Sequence, residues 1–451
     1  MLRLVLVAFF LFSCNKQSST SSSSSNDEFY YFNTPHGVVV DDLNHIVYLS
    51  DRGNGYLNSY TCVGDLLGSL HLDQANNFVS GLNISSSSIY ACNQQSSSVS
   101  VLDATSFTLK ENVEIASDVS NCYIDAKNED DCLLYEDEGC YWMVDHCMPS
   151  SESEDADQCS QYNLADCELN SVEGCMWMGD SCMVHSSEAP HYIVLDEEAG
   201  YWFVTSIMTG YVLQYRIGSN ELVGRIKVGD QPALMAINKS QNIIYVSRMM
   251  QMAMPNMDMG STSNDIHSIE YSEEGLSLVE KYSILAPNPH AIDFDGKYIY
   301  TISNSSDQIV KIDSETGVTT YIPLRLSDGI TGGQDDPSIE TFVLKPIACR
   351  YIDDNILAVT CQGGAYTSGN VNSYAPSQVQ LWNTDSMTLI DRYEFSSSSS
   401  AWHVDALEEQ NKLFVALSGS GGQGGGIVCL SYSSEGFVEE PLWQKISSAP
   451  Y

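Results

Sequence analysis

Imidazole and thioether side chains are the chemistry this sequence concentrates. Four histidines follow similar leads: Thr34-Pro35-His36, Ala189-Pro190-His191, Asn288-Pro289-His290 and Ala401-Trp402-His403. Each opens an apolar run, and together they read as one equivalent position of a repeat. Two sister segments lack the histidine, Gln231-Pro232-Ala233 and Lys345-Pro346-Ile347. Imidazoles converging on one axis suit copper or another transition metal. The competing reading is structural, a Pro-His lead that packs against the neighbouring unit. The second concentration is MMQMAMPNMDMG, which holds Met249, Met250, Met252, Met254, Met257 and Met259. Thioethers are soft, uncharged ligands that suit Cu(I). The same loop would equally serve as a re-packable surface that covers a channel or meets a protein partner. Met208 lies in the corresponding loop of the preceding unit.

The elements that carry these residues recur seven times. Short β-branched and aromatic runs end in a small polar residue: IVYLSD from Ile46, SIYACN from Ser88, YWFVTS from Tyr201, IIYVSR from Ile243, YIYTISN from Tyr298, ILAVTC from Ile356 and LFVALS from Leu413. An apolar run closed by an Asp or Asn turn comes before most of them, and an alternating run such as YVLQYRIG from Tyr211 comes after. Period-two alternation between turn residues marks half-buried strands. Units of about 40 residues with four strands each are the sequence sign of propeller blades. The expected fold is therefore all-β, a seven-bladed β-propeller with a small disulfide-rich insertion. Blades 1 and 2 occupy residues 34–116 and blades 3 to 7 residues 189–447.

Strands of a blade run antiparallel from the axis outward. Loops that join one blade to the next thus share a face with loops between second and third strands. The insertion at 117–188, the segment Arg325–Phe342 and the loops Arg248–Asp265, Gln362–Ser377 and Gly419–Gly426 all fall on that upper face. Function sits on loops carried by a rigid scaffold, so the upper face is the expected binding face. The end strands EFYYF and PLWQKI are expected to complete a blade together and hide the closing edges. The glycine-rich stretch Gly419–Gly426 follows no βαβ pattern and is not read as a dinucleotide site. The acidic run Asn128–Glu138 lacks the spacing of a calcium loop and is read as a solvated face.

The N-terminus reads as an export signal. Arg3 precedes the apolar run Leu4–Phe12, and Leu11-Phe12-Ser13-Cys14 resembles a bacterial lipobox. That resemblance implies a signal peptide at 1–13 and lipidation of Cys14. Residues 14–33, with the serines Ser18–Ser25, would form a flexible tether. The expected location is the bacterial cell envelope, lipid-anchored, on the periplasmic side or the outer-membrane surface.

An exported chain with 14 cysteines is expected to hold disulfides. Eight cysteines form two tandem copies: Cys122, Cys132, Cys140 and Cys147, then Cys159, Cys167, Cys175 and Cys182. Each copy is too small to build a core and is expected to be stapled by bridges within itself, with the connectivity open. Among the others, Cys349 and Cys361 are placed to bridge adjacent strands, and at least one thiol stays unpaired.

Charge narrows the partners. Lys and Arg total 19 against 59 Asp and Glu, a net charge of −40. Such a field repels phosphate backbones and excludes nucleic acid as a partner. The strand endings VYLSD, IYACN and IYVSR, with PHGVVVD and PHAIDFDG before such strands, resemble the repeat of the YVTN/YncE-like seven-bladed propellers. The resemblance implies a propeller at the cell envelope, often without catalysis. The same fold carries the copper cluster of nitrous oxide reductase on axial histidines. This chain has histidine in four leads only and shows no appended cupredoxin-like domain, so that enzyme is not implied. The expected function is non-enzymatic binding of an envelope protein, glycan or small ligand through the loop-elaborated face. The alternative is a copper-binding protein or copper-dependent oxidoreductase that uses the histidines and the Met-rich loop.

Overall fold

In the computed structural model, the described residues are 32–72, 78–115, 140–143, 146–149, 175–178, 181–184, 188–229, 231–249, 264–327, 330–352, 355–368, 371–396, 398–419, 423–438 and 440–447. Seven antiparallel sheets of four or more strands follow one another along the chain, each ordered from the axis outward. Their innermost strands are Pro35–Asp41, Val79–Ile84, Pro190–Asp196, Pro232–Asn238, Pro289–Phe294, Pro346–Ile352 and Ala401–Leu407. Each lies beside the next, and the seventh returns to the first, so the propeller closes. It is a seven-bladed β-propeller.

In four blades the small polar residue near the end of the second strand has a specific task. Ser50, Thr205 and Ser247 donate to the carbonyls of Ser80, Ala233 and His290 in the following blade, at 2.8, 2.9 and 2.6 Å. Thr360 does the same to Trp402. These hydroxyls stitch neighbouring blades at a depth where an unpaired carbonyl would be costly. Elsewhere the blade faces meet through aliphatic and aromatic contacts, with Trp202, Trp382, Tyr48, Tyr90, Tyr245 and Tyr300 fully buried. Aspartates at the strand ends fold the short turns: Asp41 accepts from the backbone N–H of Asn44, and Asp196 from that of Ala199. This Asx geometry is the usual use of Asp at such positions.

All seven innermost strands carry a register shift just after their first residue. A bulge adds residues on one strand and re-aims their side chains. Here it falls at the axial end of the strand, where the histidines are.

Of the two end segments expected to share a blade, EFYYF lies outside the described residues except for Phe32. The seventh blade takes its outer strand, Trp443–Ile446, from its own C-terminal segment, paired with Gly426–Ser433. The N-terminal segment supplies no strand to it among the described residues. Side chains do the joining instead. The Trp443 indole donates to the Cys62 carbonyl at 3.0 Å, and Phe32 is buried in the same cluster. The loop 362–377 contains a hairpin, Gly364–Ser368 with Val371–Ala375. The segment after blade 5 forms the small hairpin Arg325–Ser327 with Ile330–Thr331 and is anchored by Asp307, whose carboxylate accepts from the N–H groups of Val343, Leu344 and Lys345. Within the cysteine module two hairpins are described. Cys147 pairs with Trp142 in one and Cys182 with Trp177 in the other, the same register in both copies.

The remaining cysteines differ from expectation. Cys349 and Cys361 are free, as are Cys92 and Cys429, and all four are buried. Cys349 lies opposite Val359 and Cys361 opposite Pro346, a register that keeps the two thiols from facing each other. Cys62 is disulfide-bonded.

Candidate ligand site in the axial channel

The four histidine rings meet at the upper end of the channel. Ring centroids lie 4.8 Å apart for His36 and His403, 5.8 Å for His36 and His191, and 6.2 Å for His191 and His290. All four side chains are buried. His191 Nδ1 meets Gln94 Nε2 at 2.8 Å, and His290 Nδ1 meets the Ile347 carbonyl at 2.6 Å. His36 Nδ1, His191 Nε2 and His403 Nε2 are buried without a hydrogen-bond partner.

These imidazoles are neutral at physiological pH. Burial drives His36 and His191 well below the usual histidine value, with their histidine neighbours and Arg52 adding to it. Burial takes His290 down to about 4, opposed by the Ile347 carbonyl, and His403 to about 3, assisted by His290. Neutral imidazole is the form that binds a transition metal. Nevertheless, no three His, Cys, Asp or Glu side chains among the described residues are placed to hold a metal ion. Of the Met-rich loop, Met249 is described and packs against the core. Met250, Met252, Met254, Met257 and Met259 lie outside the described residues, as do Cys14, Cys122, Cys132, Cys159 and Cys167. Cys140, Cys147, Cys175 and Cys182 are placed only by the hairpins above.

Strand register corrects one part of the sequence reading. Ala401 pairs with Leu417 and Val404 with Val415. The matching pairs are Pro35 with Asp51 and Val38 with Leu49 in blade 1, and Pro190 with Ser206 and Ile193 with Val204 in blade 3. Trp402 therefore occupies the slot of His36 and His191. His403 stands one residue deeper, level with Tyr192. The inter-blade stitch agrees, because the accepting carbonyls belong to Ala233, His290 and Trp402.

That one-residue step points His403 into a cavity. A vestibule of about 460 Å³ fills the lower half of the channel and is lined by all seven innermost strands. Val38, Leu82, Val194, Leu234, Ile292 and Val404 are among its lining residues, but most of the surface it presents is polar. His403 and Tyr192 line its inner part, their rings edge to face at 5.8 Å. The Tyr192 hydroxyl meets no hydrogen-bond partner among the described residues.

The lower mouth is charged. Arg350 Nε lies 3.0 Å from Asp405 Oδ1, Nη1 3.3 Å from Asp293 Oδ2, and Nη2 3.7 Å from Glu408 Oε1. The backbone N–H groups of Tyr351 and Val40 donate to Asp293 and Asp405. One guanidinium thus ties blades 5, 6 and 7, and Asp405 ties them to blade 1. Arg350 keeps 39 % of its side-chain surface exposed and lines the vestibule. Burial works against its charge, but Asp293, Asp405 and Glu408 hold it above the usual arginine range. Burial raises Asp293 despite Arg350. Asp42 sits on the exposed rim and has no hydrogen bond or ion pair to another described residue. Partial burial and then Asp405 push its carboxyl up to about 6, against the pull of Arg350. The Cys349 thiol also lines the vestibule, and burial lifts it well above the usual thiol value, which makes it a poor nucleophile.

This cavity opens on the face opposite the one singled out by loop length. Arg350, Asp42, Asp293, Asp405 and Tyr192 were not among the sequence candidates. Their signal was faint: single polar residues within or just after apolar innermost strands, with nothing in the local sequence to set them apart.

No protein-family model matches the chain, and no curated protein matches it. Solved structures do. A streptogramin B lyase structure matches with a TM-score of 0.53 at 11% identity, over 86% of this chain and 92% of that one. The hydrazine synthase of Kuenenia stuttgartiensis matches with a TM-score of 0.54 at 12% identity, over 89% and 96%. A virginiamycin B lyase from Staphylococcus aureus matches with a TM-score of 0.48 at 11% identity, over 86% and 92%. At such identities the likeness is one of fold.

Proposed function

We propose that this protein is a lipid-anchored, YVTN/YncE-like propeller of the bacterial cell envelope that binds a small ligand in the vestibule of its channel without transforming it. The supporting observation is the vestibule itself. It is a concave space enclosed by all seven innermost strands, with Arg350, Asp293, Asp405 and His403 among its lining residues, and such concave sites with placed polar groups are where small ligands bind. Binding rather than catalysis is favoured by the state of those groups. Arg350 is committed to carboxylates, Cys349 is held as the thiol, and His403 has no acid beside it to orient it. The test is ligand-induced thermal stabilisation with a panel of small amines, sugars and carboxylates. Ala236→Phe and Ala348→Phe each fill the vestibule from a different blade. A hit that stabilises the native chain and not the folded filled variants supports the site. Hits indifferent to both variants refute it.

The anchoring part has its own test. Cys14→Ser is expected to move the protein from the membrane to the soluble fraction with its melting temperature unchanged. Retention of that variant in membranes counts against the lipobox.

A second reading is copper on the axial imidazoles, favoured by the three partnerless ring nitrogens of His36, His191 and His403. The donor chemistry fits and the present placement does not, so ring rotation must accompany loading. Cu(I) titration of the full chain decides it: stoichiometric binding lost in His36→Leu/His191→Leu supports copper, and background binding refutes it.

A further inference from the structure

Resting on the vestibule as the ligand site, we propose that it selects a small zwitterion, an amino acid in its simplest form, with the carboxylate held at blades 3 and 4 and the ammonium group turned toward blades 5 to 7.

Each innermost strand is hydrogen-bonded on one side only, to the second strand of its own blade, so its other edge turns N–H and C=O groups toward the axis. For this reason a vestibule with many aliphatic lining residues still presents a mostly polar surface. One layer of the seven strands decides which edge donors remain available. It lies opposite the third residue of each second strand. Four blades place a polar residue there, Asn83, Asp293, Arg350 and Asp405. The other three have Val39, Val194 and Ala236.

The amide and carboxylates of this layer take up edge donors. Asn83, Asp293 and Asp405 accept through Oδ1 from the N–H of the residue that follows each, Ile84, Phe294 and Ala406, at 2.8, 2.9 and 3.0 Å. Oδ2 of Asp293 and of Asp405 reaches the next blade and accepts from the N–H groups of Tyr351 and Val40 at 2.7 and 2.9 Å. Five blades thus have their edge N–H at this level taken by a side chain. The equivalent groups in blades 3 and 4 belong to Leu195 and Ile237, which follow Val194 and Ala236 and so meet no such side chain. Register makes them equivalent: Leu195 lies opposite Trp202 and Ile237 opposite Ile244, as Val40 lies opposite Val47. Both residues line the vestibule. Lys239 lines it beside them, exposed and in no ion pair with another described residue. Two neighbouring backbone donors and an ammonium group suit a carboxylate.

The far side has the opposite surplus. In a closed ring of seven blades the boundary between blades 3 and 4 faces blade 7, which carries Asp405. There Asp293, Asp405 and Glu408 surround the single guanidinium of Arg350, so acids outnumber the base. A ligand that is only an anion would be repelled from that side. One that is only a cation would leave the Leu195 and Ile237 donors without an acceptor. A molecule with both charges meets both sides.

Calorimetry on the full chain at pH 7.5 tests this with three zwitterions of increasing span, glycine, 4-aminobutyrate and 6-aminohexanoate. The tightest of them is then compared with the same carbon chain lacking the amine and the same chain lacking the carboxylate. Each deletion is expected to weaken binding about ten-fold, the order of one hydrogen bond to a charged group. Val194→Asn and Ala236→Asn copy the residue that blade 2 carries in this layer, and should take up the Leu195 and Ile237 donors as Asn83 takes up that of Ile84. Each is expected to weaken the zwitterion about ten-fold and to leave the amine analogue unchanged. The two substitutions lie in different blades, so one folded variant is enough to decide. If either analogue binds as well as the zwitterion, or a folded Asn variant binds it as the native chain does, the zwitterion proposal is overturned. It is also overturned, with the vestibule still standing as a site, if no zwitterion binds but another compound binds the native chain and not the filled variants Ala236→Phe and Ala348→Phe. If nothing binds, the ligand-site reading falls, and the proposal with it.

Discussion

The two ends of one channel are built by the same seven strands and hold opposite chemistry. At the upper end, bulges turn four imidazoles toward one another in a buried, neutral cluster. At the lower end, the C-terminal halves of those strands present a guanidinium and its carboxylates, and Asp42 just past the first strand, to a water-accessible mouth. The difference follows from where each residue sits on a strand. A bulge near the first residue aims side chains at the axis, where water is excluded. Toward their other ends the strands run out to a mouth that water reaches, where charge can remain solvated. The two ends also titrate in opposite senses, and this separates their contributions experimentally.

The largest expected effect belongs to the histidines. His290 falls to about 4 and His403 to about 3 in the fold, against about 6.5 when unfolded. Between those values the unfolded chain binds more protons, so stability is lost as pH falls below 6.5. For buried His290 the loss is roughly 3 kcal/mol at about 1.4 kcal/mol per pKa unit. Urea unfolding between pH 7 and 4 should show a decline of at least that size. His290→Leu should make it shallower by that share, while His36, His191 and His403, also held below the usual value, keep the rest. An identical pH slope in native and variant chains would show that the upper cluster is solvated.

The next effect belongs to Arg350. Its removal leaves Asp293, a buried carboxylate, with only backbone donors, and cuts the link between blades 5, 6 and 7. Breaking a buried pair typically costs several kcal/mol, whereas an exposed pair costs little. Arg350 is 39 % exposed to the vestibule, so the expected loss for Arg350→Ala lies between, about 1–3 kcal/mol. Added salt should weaken the native chain only slightly, because most of the network is shielded from ions. A variant as stable as the native chain would mean that vestibule water already screens the network.

These contrasts explain what the sequence made legible. Seven second strands were readable because each is a local run of β-branched and aromatic residues, and the seven-bladed fold followed from their number. The small polar residue ending those runs was visible, but its stitch to the next blade joins residues far apart in sequence. The histidine in blade 7 matches the others by residue type, but Trp402 keeps the spacing to Lys412 that His36 keeps to Ile46 and His191 to Tyr201. Counting to the next strand would have placed Trp402 in the histidine slot. The vestibule was not legible, because Asp42, Asp293, Arg350 and Asp405 belong to four blades and meet only when the propeller closes. Loop length favours the upper face, and the described cavity opens on the lower one.

The smallest expected effect is that of Asp42, and its sign is the sharpest test of the comparison. Its carboxyl titrates at about 6 in the fold and near 3.9 when unfolded. Between those values the folded chain binds more protons, so this group's contribution to stability is present below about pH 4 and is lost as pH rises through 6. That is the reverse of the histidine trend. Asp42→Asn should therefore leave stability unchanged near pH 4 and raise it near pH 8. Because the residue lies on the exposed rim, solvent screening holds the gain below about 1 kcal/mol. The lower mouth then gives up a little stability to keep an unpaired charge on its rim, as expected of a residue retained for a ligand rather than for the fold. Equal stability of the two proteins from pH 4 to 8 would place Asp42 in bulk-like water. A loss at pH 8 would give it a structural partner and remove it from the ligand site.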